Sequence, residues 1–115
     1  MKCTGDSWLV SSARGSVYAL PERMSTDRVN IARRVGAAGA FVTDASVSPD
    51  GSRYALRDYV DAELYSGLPP GRELGTVYLP LQLQGEAITW TSDGAALLVA
   101  SERDNRLLRV TITLR

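Results

Sequence analysis

At 115 residues, with 44% hydrophobic and 23% charged side chains, the chain is sized for one globular domain and is neither a disordered tail nor a disulfide-stapled miniprotein. Thirteen basic residues balance thirteen acidic ones, so bulk charge attracts neither nucleic acid nor an anionic membrane surface, and neither is expected as a partner. The chain has no histidine, which excludes Ser-His-Asp and Cys-His catalysis, and its one cysteine, Cys3, excludes an intramolecular disulfide.

Residues 1–6 form no apolar leader, and no apolar run approaches the roughly 18 residues that span a bilayer. A soluble chain without membrane insertion is expected, cytoplasmic or, if truncated at its N-terminus, exported. Cys3, near the N-terminus, is expected to be inert. Short runs rich in Val, Leu, Thr and aromatics then recur about every ten residues. In chain order they are 7–11, 16–20, 40–43, 54–57, 62–65, 75–79, 87–91, 96–100 and 107–112, most of them bounded by Gly, Pro, Asp or Ser. Even spacing of that kind predicts an all-β sandwich, barrel or propeller. The segment from Asp27 to Val35 reads two ways. Asp27 and Gly36 suit the two caps of a helix, whereas Val29, Ile31 and Val35 fall on the alternate positions of a strand, which the repeat below favours. The Gly36-Ala37-Ala38-Gly39 stretch reads as a flexible connection.

An internal repeat sharpens this picture. Asp50-Gly51 and Asp93-Gly94 stand 43 positions apart, each after a strand ending in a large apolar residue (Val47, Trp90) and before an apolar strand. Asp closes such a turn through its side chain, and Gly takes its positive φ, so both turns are expected to be structural. A period of about 40 to 45 residues with four short strands per unit is the mark of a propeller blade.

The Val47-Ser48-Pro49-Asp50-Gly51 stretch, with Tyr54-Ala55-Leu56 after it, resembles the TolB-like and WD-repeat-like β-propeller repeats of bacteria. Thr91-Ser92-Asp93-Gly94 with Leu97-Leu98-Val99 is similar to a second copy without the proline, and the Gly-His and Trp-Asp dipeptides of WD repeats are absent. The resemblance implies an all-β partial propeller of antiparallel four-stranded blades. Residues 1–40 would form an incomplete first blade with no innermost strand, its strands at 7–12, 15–20 and 28–35. Residues 41–83 would form a complete blade with strands at 42–48, 52–58, 61–66 and 74–80. Residues 84–115 would form a last blade lacking its outer strand, with strands at 86–91, 96–101 and 106–113.

In such an arrangement one face gathers Asp44 and Glu86 at the mouth of the central channel, ringed by the loops 57–61 and 102–105 and by Arg14. Asp44, Glu86, Asp58 and Asp61 are the candidate metal ligands: without histidine, hard oxygen donors suit Ca²⁺, the one cofactor considered, since none is otherwise expected. Against this stands the reading that these loops are charged because they face water, with Arg57 balancing Asp58 and Arg103 balancing Asp104. The aromatics Trp8, Trp90, Tyr18, Tyr54, Tyr65 and Tyr78 are expected between blades.

No nucleophile motif or phosphate loop accompanies the carboxylates. The expected role is therefore a non-catalytic binding or interaction module belonging to a larger propeller. The alternatives are a divalent-metal-dependent hydrolase-like propeller with a carboxylate-lined upper face, and a metal- or glycan-binding extracytoplasmic protein. A closed four-bladed ring needs roughly 160 to 180 residues. The expectation is hence a C-terminal fragment, with a protein partner or self-association through exposed blade edges as the ways of covering its ends.

Overall fold

The computed structural model describes residues 1–3, 5–12 and 15–115; Arg14, expected on the carboxylate face, lies outside the described residues. Those residues form strands and no helix. The first sheet comprises β1 (Lys2–Cys3), β2 (Asp6–Ser11), β3 (Ser16–Ala19) and β4 (Arg33–Ala37). The second comprises β5 (Asp44–Val47), β6 (Arg53–Arg57), β7 (Asp61–Ser66) and β8 (Glu73–Tyr78). The third comprises β9 (Gly85–Trp90), β10 (Ala96–Ser101) and β11 (Asp104–Thr111). Each is an antiparallel meander in which sequence order is spatial order.

The two Asp-Gly turns are built alike, which explains why the sequence repeats there. Asp50 Oδ1 accepts from the Ser48 hydroxyl at 2.9 Å and from the Ser52 N–H at 3.0 Å. Asp93 Oδ1 accepts from the Thr91 hydroxyl at 2.6 Å and from the Ala95 N–H at 3.0 Å. The same two hydroxyl oxygens accept the Arg53 and Ala96 N–H groups, each at 3.0 Å, so one Ser or Thr starts the hairpin and one Asp closes it. Gly51 and Gly94 take φ of +71° and +70°, a conformation that costs any residue with a Cβ.

Alternation within the strands gives the second sheet two apolar faces and the third sheet one. The second sheet turns Ala45, Val47, Tyr54 and Leu56 toward Trp8 and Val17 of the first. It turns Ala55, Ala62, Leu64 and Val77 toward Ile88, Trp90, Leu97, Val99 and Val110 of the third. Fully burying a Val, Leu or Ile side chain stabilises by about 1.5–3 kcal/mol, so these two interfaces are the core. The leading strands β5 and β9 also lie side by side. The Trp90 indole N–H donates to Ser46 O at 3.0 Å, and the Thr43 hydroxyl donates to Gly85 O at 3.0 Å. At the opposite end of these sheets, Arg115 exchanges two backbone hydrogen bonds with Thr76 of β8, at 2.9 and 3.2 Å.

Several sequence expectations need correction. The first sheet does have a leading strand: β1 pairs with β2 through Lys2–Ser7 and Cys3–Asp6, so Cys3 sits in a paired, half-buried strand. The segment around 28–35 is neither the helix nor the full strand considered. Residues 28–32 are irregular, and β4 continues through Gly36 and Ala37, residues expected to be a flexible connection, because they pair with Val17 and Ser16. Residues 40–43 form no strand. Tyr78, expected between sheets, lies exposed on β8, with the Arg115 guanidinium 5.1 Å from its ring centre.

Candidate functional site

The turns that connect β6 to β7 and β10 to β11, with the segment from β8 to β9, bring charged side chains to one end of the sheets. Each carboxylate there has a distinct local task. Asp58 closes the β6–β7 turn, its Oδ1 accepting from the Val60 N–H at 2.7 Å and the Asp61 N–H at 2.9 Å. Asp61 opens β7 beside it. Partial burial first, then the charges of Asp58 and Glu63, push the Asp61 carboxyl above its ordinary range. Asp58, Asp61 and Glu63 line a small pocket of about 80 Å³ with Gly39 and Leu56. Asp44 reaches across to the third sheet, where its Oδ2 accepts the Ile88 N–H at 2.8 Å. Glu86 meets Glu102 instead of Asp44, and its carboxyl is pushed up, by desolvation first and the Glu102 carboxylate second.

The four candidate ligands therefore divide: Asp58 sits with Asp61, Asp44 is bonded to a backbone amide, and Glu86 shares a pocket with Glu102. Among the described residues no group of three or more Cys, Asp or Glu side chains is arranged to hold a metal ion. Nor do the expected charge balances form as drawn. Asp104 pairs with Arg106, whose Nε lies 2.9 Å from Oδ1, rather than with Arg103.

Arg57 departs furthest from its expected place in an exposed loop, since it is 0% exposed. It ends β6 on the face turned to the third sheet, and its guanidinium donates to three carbonyls: Asp58 O at 3.0 Å, Ala87 O at 2.8 Å and Ala100 O at 3.4 Å. Its Nη2 has no hydrogen-bond partner and lies over Gly85, where a Cβ would come within 2.2 Å of it. Desolvation pulls the Arg57 pKa down, while Asp44 and Asp58 oppose that shift. The only sequence signal for this wedge is Gly85, the small residue that makes room for the guanidinium.

Beside this cluster runs a cleft of about 800 Å³, missed in the sequence reading. One wall carries Leu81 and Leu83, 83% and 69% exposed; the other is the hairpin 101–106. Between the two leucines Gln82 turns inward, buried, and neither of its amide atoms has a partner. The walls are tied together by the Ser101 hydroxyl donating to Leu83 O and the Glu102 N–H donating to Gln84 O at 3.4 Å. Gln84 adopts φ of +51°, a strained setting for a residue with a side chain, which sets the angle at which the segment enters β9. No protein-family model and no curated protein matches this chain.

Proposed function

We propose that the chain is a non-catalytic protein-binding module, a portion of a β-propeller of the TolB-like or WD-repeat-like kind, that receives an extended segment of a partner protein in the cleft between residues 81–84 and 101–106. What supports the blade reading is the 43-residue repeat together with successive antiparallel meanders whose leading strands adjoin. What carries the binding reading is the pair of exposed leucines, Leu81 and Leu83, on one wall of an open 800 Å³ cleft. Exposed large apolar side chains beside a concavity are the usual anchors of recognition, and the facing polar hairpin supplies Arg103 and Asn105 as donors at the rim.

The test is to pan a displayed random-peptide library on the whole chain. The expected result is enrichment of peptides with apolar anchors that bind in the micromolar range and lose at least tenfold affinity on Leu83→Glu at unchanged melting temperature. Failure to enrich any sequence, or binding indifferent to Leu83→Glu, overturns it. A second reading is divalent-cation binding at Asp58 and Asp61, favoured by the small pocket that these two carboxylates line together with Glu63. Calorimetric titration with calcium decides it, and no heat at millimolar calcium sinks it.

A further inference from the structure

The connection that leads into the third sheet is folded against the preferences of its own residues. Between β8 and β9, Leu81 and Leu83 stand in solvent, while Gln82 between them is buried with no partner for either amide atom among the described residues. Water favours the reverse on both counts: exposed leucines forgo burial, and a buried amide without hydrogen bonds keeps the whole cost of its desolvation. Gln84 adds backbone strain at φ +51°. The equivalent connection into β5 shows that the repeat does not demand all of this. Phe41, 43 positions before Gln84, has the same kind of backbone, with φ of +61°. There, however, the residue 43 positions before Gln82 is Gly39, which has no side chain to bury, and the residue turned into the core is Val42. The left-handed entry thus belongs to the shared plan, and the buried amide between bare leucines belongs to residues 81–83 alone.

Two hydrogen bonds hold this arrangement, both from the facing hairpin. The Ser101 hydroxyl donates to Leu83 O, and the Glu102 N–H donates to Gln84 O at 3.4 Å, a long contact. The segment is anchored at its two ends, by the Leu79 N–H on Val60 O at 3.0 Å and by Gly85 in the pairing of β9 with β10. We infer that residues 80–84 are a strap with two positions: the one seen, with both leucines out, and one in which the strap turns over, Leu83 takes the place of Gln82, and the Gln82 amide returns to water. Leucine and glutamine are close in volume, so the same space takes either. The strap deepens the cleft reading and rests on it for its use. Only the leucines-out position presents both anchors to a partner's extended segment, and a segment that covers them binds that position alone, which shifts the balance toward it.

The test is methyl relaxation-dispersion NMR on the full chain without peptide, with leucine and valine labelled. The Leu81 and Leu83 methyls are expected to exchange between two environments on the microsecond-to-millisecond timescale, and those of Val42, in the equivalent connection, are not. Gln82→Met removes the orphaned amide and favours the leucines-out position, so it should abolish the exchange and raise the melting temperature. Gln84→Gly relieves the left-handed φ and should weaken the exchange in the same sense. Enriched peptides should bind Gln82→Met about threefold tighter or more, because the locked chain no longer divides its time between positions. Leucine methyls without exchange in the wild type, equal exchange at Val42, or a Gln82→Met chain that melts lower overturns the inference. Exchange in a chain that enriches no peptide would overturn the cleft reading and leave the strap standing; enriched peptides without exchange would do the opposite.

Discussion

Arg57 carries a full charge with no exposed surface, and it does so because its fork reaches backbone carbonyls in its own turn and in the neighbouring sheet. Hydrogen bonds from a charged donor are worth about 1.5–3 kcal/mol, and carbonyls left bare in the interior cost a further amount. Arg57→Met should therefore lower stability by about 3 kcal/mol in urea denaturation, and Arg57→Lys should not rescue it, because a compact ammonium cannot span separated acceptors. Gly85→Ala should behave similarly, since its Cβ would meet the guanidinium. Hydrogen bonds from Ser52 and Ser48 hold Asp50 at about 2, against the usual 3.8. A depressed carboxyl stabilises the fold above its unfolded pKa and ceases to as pH falls through the folded one. Acid should weaken the protein between pH 4 and 2, less so in Asp50→Asn; an identical pH profile in both proteins would contradict this. The Asp58 and Asp61 charges were legible in the sequence as neighbours, because they are local. The burial of Arg57 was not, because the third sheet that covers it begins only at Gly85, 28 positions along the chain.

Among the elements, the Asp-Gly hairpins were the most legible, since every group that closes them lies within six residues. Left-handed backbone costs a residue with a Cβ about 1–2 kcal/mol. Gly94→Ala should lose that much in a denaturant titration, and Gly51→Ala the same, because neither added Cβ meets anything closer than 3.5 Å and only the backbone is strained. An unequal loss at the two turns would mean that they are not the same structure. Strand ends were harder to read. β4 begins at Arg33 rather than near Arg28 because pairing with β3, and not the alternation of Val29 and Ile31, decides where a strand exists. Both of those side chains consequently stand exposed.

At the scale of the whole molecule, the middle sheet depends on both neighbours. A chain ending at residue 83 would bare Ala55, Leu64 and Val77, which are buried here, along with the Arg57 guanidinium. It is expected to bind a hydrophobic dye and to lose its cooperative thermal transition; a well-folded 1–83 chain would show that the first two sheets suffice. The sequence disclosed this layered plan through its period, but not which faces stay bare, since exposure depends on what stands beside a sheet. The second and third sheets are pinned at two distant points, by Trp90 on Ser46 at the inner end and by Arg115 on Thr76 at the outer one. Two pins remove the freedom to hinge, so the wedge angle between these sheets is a fixed quantity written into one pair. A partner that touches both sheets therefore meets a surface whose shape is settled before contact.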